Sequence, residues 1–220
     1  MSHGRPLAIL GTRAFAEEVA ALVEDSGAFE LTHFVENLDR GRCGASLLGR
    51  EVLWVDDLPR LRETHEVVCA IGATSRGAFT GAAEAAGMRF ATIIHPSARV
   101  LPSSRIGEGS ILSMGVLVGS HTTVGRHAIL NRGVTLGHHS RIGDLVTICP
   151  GTNVAGRVEL GDRVYVGMGT NILNDLRVGS DAVVGAGSVV TRDVPDRTFV
   201  VGYPAMVARR GENGRPGGTE

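Results

Sequence analysis

From Ile94 onward every sixth residue is Val, Ile or Leu. The series runs Ile94, Val100, Ile106, Leu112, Val118, Val124, Leu130, Leu136, Ile142, Ile148, Val154, Leu160, Val166, Ile172, Val178, Val184 and Val190, 17 positions in one unbroken register. Gly follows nine of them, as in Ile106-Gly107 and Val184-Gly185, and the fourth place after each is small or β-branched almost throughout: Ser104, Ser110, Val116, Thr122, Ala128, Val134. Neither a helix nor an ordinary strand has a period of six. A hexapeptide repeat is the signature of a parallel β-helix. Two short strands and a tight turn make one side of a prism, and three such sides close one coil. Successive coils then stack at roughly 4.8 Å, the spacing between paired strands. The apolar residue of each repeat is expected to point inward, on its equivalent in the next coil, and Gly to permit the corner backbone. No coil can bury its apolar face alone, so neighbouring coils stabilise one another. A β-sandwich would need turn signals every 8–12 residues or so and would not hold one register this long.

The first 93 residues follow a different rhythm. Leu7-Ala8-Ile9-Leu10-Gly11 reads as a short buried strand, and Phe15, Val19, Leu22 and Val23 fall at helical spacing before Gly27 stops the helix. Leu31 to Val35 is a second strand, a third segment surrounds Val52 to Val55, and Val67 to Gly72 is another buried strand. Helical spacing returns from Ser75 to Gly87, and Phe90 to Ile94 leads into the repeat. Alternating strands and helices predict a small α/β sheet with a parallel core. Such sheets bind ligands at the carboxyl ends of their strands, which places Gly11-Thr12-Arg13, Glu36-Asn37 and Gly72 along one crevice. A helix N-terminus there can face phosphate. The stretch GTRAFA lacks the G-x-G-x-x-G fingerprint, which argues against NAD.

Composition narrows the function. The formal net charge is -1, with no basic excess to suit a nucleic acid or an anionic membrane. All 22 basic residues are Arg, so Schiff-base lysine chemistry is excluded. Cys43, Cys69 and Cys149 form neither a metal spacing nor a disulfide framework, as in a reducing cytoplasm. The apolar stretch near the N-terminus is too short for a signal peptide or a membrane span, and the expected location is cytoplasmic. The polar, Gly-rich residues 211–220 are expected to be a disordered tail.

Of eight histidines, His138 and His139 are adjacent at a corner of the repeat and are expected to project outward. An imidazole suits general-base work near neutral pH. His121 shares a column with His139 one coil below, and Arg157 lies one coil above. His95, His121 and His127 read as surface or subunit-contact residues. Trimeric β-helix enzymes of the γ-carbonic-anhydrase type bind zinc through three histidines. Their pair of histidines four residues apart is missing here, so no metal is expected.

With these residues in view, residues 6 to 210 resemble the sugar acyltransferases of the PglD/NeuD type. The resemblance is carried by Asn131-Arg132-Gly133-Val134-Thr135-Leu136-Gly137-His138-His139-Ser140-Arg141-Ile142-Gly143-Asp144, which looks like the family's N-x6-H-[DE]-x2-IG[DE]. Val201-Gly202-Tyr203-Pro204-Ala205 looks like its closing GxPA. The resemblance implies a small Rossmann-like domain (residues 1–93), a left-handed β-helix acyltransferase domain (94–195) and a C-terminal segment near CoA (196–210), assembled as a homotrimer. It implies N-acetylation of a nucleotide-linked amino sugar by acetyl-CoA, with His138 as general base and Asn131, His139 and Asp144 completing the catalytic surroundings. Acetyl-CoA would lie between subunits against Thr147, Gly156, Met168 and Ala186, its phosphates meeting Arg209 or Arg210. The nucleotide of the acceptor would occupy the crevice of Gly11, Thr12, Arg13, Glu36, Asn37 and Gly72.

Three departures from the family pattern stand out. The base is ordinarily followed by Asp or Glu, whereas here it is followed by His139. A neighbouring imidazole is not expected to do the acid's work, so Asp144 or an acid of the next subunit should. Gly11-Thr12-Arg13-Ala14-Phe15 replaces a G-x-S-G-H-G loop, and Glu36-Asn37 replaces an acidic pair. O-acetylation of a sialic-acid-type sugar and a non-catalytic trimeric scaffold are the competing readings.

Overall fold

A computed structural model describes residues 4–210. The chain divides into two compact units, Met1–Pro96 and Ser97–Glu220. The predicted tail, residues 211–220, lies outside the described residues.

The N-terminal unit is a twisted sheet flanked by helices. Its strands are β1 (Arg5–Leu10), β2 (Phe29–Glu36), β3 (Ser46–Leu47), β4 (Arg50–Trp54), β5 (Glu66–Cys69) and β6 (Arg89–Phe90), in the order β3-β4-β2-β1-β5-β6. All pairs are parallel except β3 with β4. β1 lies at the centre and is apolar from Leu7 to Leu10 because both of its faces are covered. Helix α1 (Ala14–Ser26) buries Ala16, Val19, Ala20, Leu22 and Val23, and Gly27 ends it at φ 63. Phe15, expected on that stripe, is only half-buried. Helix α2 (Gly77–Ala85) buries Phe79, Thr80 and Ala83. β4 answers to the segment expected around Val52 to Val55, whereas β3 has no counterpart in the sequence pattern, since so short a strand carries no measurable alternation.

The second unit is a left-handed parallel β-helix. Each strand pairs with its equivalent one coil away, so Leu112, Leu130, Ile148, Val166 and Val184 form one inward column. The columns Val118–Leu136–Val154–Ile172–Val190 and Val124–Ile142–Leu160–Val178 line the other two faces. Together with Val116, Val134, Val146, Val158 and Val164 they make one continuous apolar core. Ile94 departs from the series, being 41 % exposed beside a fully buried Ile93. Thr198–Val201 continues the first face by pairing with Val183–Val184, and Met206–Arg210 folds back antiparallel upon it.

The role of glycine differs from the expectation. The Gly that follows the apolar residue does not take a left-handed conformation. A Cβ on Gly161 would lie 2.6 Å from the backbone nitrogen of Ser180 in the next coil, and one on Gly119 would lie 2.8 Å from Gly137. These glycines permit close stacking of backbone on backbone. Positive φ falls two residues later. Gly115, Gly133, Gly151, Gly169 and Gly187 occupy it at the corner between the first and second faces. At the other two corners it is taken by His121, His139, Arg157 and Asp175, and by His127, Leu145, Arg163 and Asp181. The small residue of each repeat also does more than fill space. Thr122, Ser140 and Thr152 donate their hydroxyls to the carbonyls of Gly137, Ala155 and Gly167 in the coil above. Thr122 and Ser140 also accept the N–H groups of Ser140 and Val158.

Candidate functional site

His138 and His139 stand on the corner between the second and third faces, both exposed. Strands Thr135–Leu136 and Arg141–Ile142 hold this corner, and the N–H of His139 donates to the carbonyl of Ser120 below. The two Nδ1 atoms lie 3.0 Å apart with the rings edge to face. His139 stacks on His121, the centroids 4.8 Å apart, and Arg157 above forms a two-pronged ion pair with Asp175. The Arg157 guanidinium, and then His138, hold the Asp175 carboxyl below its usual range. Nε2 and the adjoining ring carbon of His138 lie over Gly156, where a Cβ would come within 2.7 Å of Nε2. Gly156, matched by the resemblance to a CoA contact, therefore makes room for the His138 ring.

The other candidates are distributed around the prism. Asn131 sits on the corner between the first and second faces, its side-chain amide donating to the Ile148 carbonyl. Met168, 61 % exposed, and Ala186 stack on that same corner. Asp144 lies on the third corner, where its carboxylate accepts the backbone N–H of Arg126, so within this chain it does not attend His138. Thr147 is 2 % exposed and does not present its side chain to solvent within this chain; Ile111, Ile129 and Val183 of the same outward row on the first face are buried too, while Tyr165 of that row is half-buried. The side chains of Arg209 and Arg210 lie outside the described residues. His95 and His127, expected as surface or subunit-contact residues, are buried within the chain, and His95 Nε2 is 2.5 Å from the carboxylate of Asp25.

In the N-terminal unit the carboxyl ends of β1 and β2 build a small polar cluster. Glu36 is 4 % exposed, and its carboxylate accepts from the Thr12 hydroxyl and from the N–H groups of Asn37 and Leu38 at 2.8 Å. Burial pushes the Glu36 carboxyl up, but the hydrogen bonds from Thr12 and the loop N–H groups outweigh it and leave it below the usual range. Arg42 closes the cluster, donating to the Thr12 carbonyl at 2.8 Å with Nε 4.0 Å from Glu36. Glu36 is thus spent on ordering the loop that follows β2, and Arg42, which sequence reasoning passed over, joins it. The signal was present in the charged run Asp39-Arg40-Gly41-Arg42 behind Glu36. Gly11, at φ 126, would set a Cβ 3.1 Å from the Ala70 carbonyl, which gives it a backbone reason to be Gly. Arg13 is exposed at the start of α1, and Asn37 and Gly72 are half-buried.

Among the described residues no group of three or more His, Cys, Asp or Glu side chains could hold a metal ion. The three cysteines are free. No helix among the described residues is long and apolar enough to cross a membrane.

Comparison with known proteins places this arrangement. Residues 157–192 match the bacterial transferase hexapeptide (six repeats) family. No curated protein sequence gives a match. Among solved structures the chain is similar to PerB from Caulobacter crescentus in complex with CoA and GDP-perosamine, at 32% identity over 95% of this chain and 99% of that one, with a TM-score of 0.86. The acetyltransferase domain of PglB from Neisseria gonorrhoeae, in complex with acetyl coenzyme A, matches at 31% identity over 93% and 99% of the two chains, with a TM-score of 0.84. WeeI from Acinetobacter baumannii matches at 29% identity over 91% and 98%, with a TM-score of 0.82. Identity at this level over both units, with the unbroken hexapeptide helix, shows that the chain belongs to the left-handed β-helix sugar N-acetyltransferases, a family of acyltransferases.

Proposed function

We propose that the protein transfers the acetyl group of acetyl-CoA to an amino group on a nucleotide-linked amino sugar, with His138 as general base. The observation that carries this reading is the exposed His138 imidazole, aimed over Gly156 at a prism corner, in a chain matched from end to end by a structure holding CoA and GDP-perosamine. His138 Nε2 takes a proton from the acceptor amine as its nitrogen attacks the thioester carbonyl. The tetrahedral intermediate collapses, the C–S bond breaks, and the CoA thiolate leaves and recovers the proton from His138. Holding the two substrates together supplies much of the acceleration.

The distribution of candidates supports a homotrimer with shared sites. His138 lies on one corner, while Asn131, Met168 and Ala186 lie on another. A site using both groups takes its base from one chain and its CoA contacts from the next. In the N-terminal unit Arg13 and Arg42 at the carboxyl ends of the strands are the cations suited to a nucleotide diphosphate. Glu36 orders the loop beneath it.

The test is free-thiol release from acetyl-CoA with a panel of nucleotide-linked amino sugars, sialic acids and simple sugars, run beside His138→Ala. Turnover with an amino sugar, lost in the variant, is expected. Turnover on hydroxyl acceptors alone overturns the N-acetylation reading, and turnover that survives His138→Ala removes His138 from the chemistry.

A further inference from the structure

We propose that His139 is a positioning residue that fixes the tautomer of His138, doing as a neutral imidazole what an acid would otherwise do; this rests on the reading of His138 as the base. The two Nδ1 atoms meet at 3.0 Å. Two lone pairs, or two N–H groups, would repel at that distance, so the contact holds one proton. If the proton is on His138, its Nδ1–H donates to His139, and Nε2 keeps the lone pair. That is the atom lying over Gly156 at the corner surface. Which ring nitrogen of a histidine is basic is set by the partner of the other one.

The position of His139 suits this role. Its backbone is anchored by its N–H to the Ser120 carbonyl, and its ring is held against His121. In the coils above, Arg157 is neutralised by its two bonds to Asp175, which leaves His121, beside His138 itself, as the titratable neighbour against the His139 ring among the described residues. During turnover Nε2 of His138 gains the amine proton, and the imidazolium keeps donating through Nδ1–H to a neutral His139. When His139 is itself protonated it has no lone pair to offer, and the arrangement is lost. A carboxylate in its place would hold the imidazolium more tightly, making the base titrate at higher pH. This chain therefore gains an uncharged orienting partner beside His138, while the Asp175 carboxylate above, which feels the His138 charge, is held by Arg157.

The conformation at this corner makes the test clean. His139 has φ 58, and the same place in other coils is held by Asp175 and Asp181 at φ 64 and 59, or by Gly. His139→Gly and His139→Asp are thus both compatible with the backbone. We expect His139→Gly to lower kcat roughly ten- to a hundredfold, the usual loss when an orienting partner is removed, with KM for both substrates unchanged. We expect His139→Asp to restore most of that kcat and to move the acid limb of kcat/KM to higher pH than in the wild type. Full kcat in His139→Gly, or an unmoved acid limb in His139→Asp, overturns the proposal while leaving His138 as the base. Unaltered turnover in His138→Ala overturns the base reading itself.

Discussion

Gly156 lies against the imidazole of His138 one coil below, so closely that a single methyl group on it would meet Nε2 at 2.7 Å. The hexapeptide frame turns side chains at this place outward, and the helix could hold Ala here at no backbone cost. Gly156→Ala is therefore expected to leave folding unchanged and to displace the His138 ring. A displacement near 1 Å costs about a hundredfold in rate. Steady-state kinetics beside a thermal melt separates the two effects, and unchanged kcat in a correctly folded Gly156→Ala would show that His138 does not act from this position.

Sharing of sites between chains is tested by mixing. His138→Ala and Asn131→Ala are each expected to be inactive alone. In assemblies formed at random from equal amounts of the two, one site in four pairs an intact His138 with an intact Asn131 of its neighbour. Roughly a quarter of the wild-type activity should return if the oligomer is cyclic and the site spans two chains. No recovery would mean that each chain builds its site alone.

The Glu36 cluster predicts a pH dependence. The folded-state pKa of Glu36 is lowered, so its contribution is complete above the usual carboxylate range and is lost as pH falls through the lowered value. Glu36→Ala leaves the Thr12 hydroxyl and two loop N–H groups without their acceptor, and should cost about 2–3 kcal/mol. Glu36→Gln should flatten the acid side of the stability curve. Denaturant melts of the full chain at neutral and acidic pH measure both, and an unchanged pH slope in Glu36→Gln would count against the assignment.

Two glycines of the repeat should respond unequally. Gly161→Ala forces a methyl group into the Ser180 backbone and is expected to destabilise the β-helix by about 1–3 kcal/mol. Gly151 has φ 68 with open space around it, and other corners carry His, Arg or Asp at that place. Gly151→Asn meets no neighbour and should cost no more than about 1 kcal/mol, the left-handed backbone being one that Asn tolerates. Equal losses in the two variants would contradict the division between stacking glycines and left-handed glycines.

Much of this protein was legible before any coordinates. Period six over 17 positions admits one architecture, because a strict repeat of apolar residues can be buried only by stacking each on its equivalent in the next coil. The alternation of strand and helix before Pro96 likewise announced a parallel sheet, and Gly27 marked the end of α1. The pair His138–His139 stood out from residue type and place in the frame alone.

What the chain could not disclose in one dimension was which groups face each other across coils. The sequence names His139 as a departure from an acid, but only the fold brings its Nδ1 to 3.0 Å from that of His138. Asp144 lies six residues beyond His138 along the chain, yet one hexapeptide is one side of the prism, and the side chain turns to a different corner and the Arg126 N–H. Thr147, matched by the resemblance to a CoA contact, is buried on the first face, which no pattern of residue types along the chain discloses. Periodicity sets which residues point inward, because burial is a one-dimensional pattern of apolar and polar places. Contacts between outward residues depend on the stacking of coils and on rotamers, which no pattern along the chain encodes.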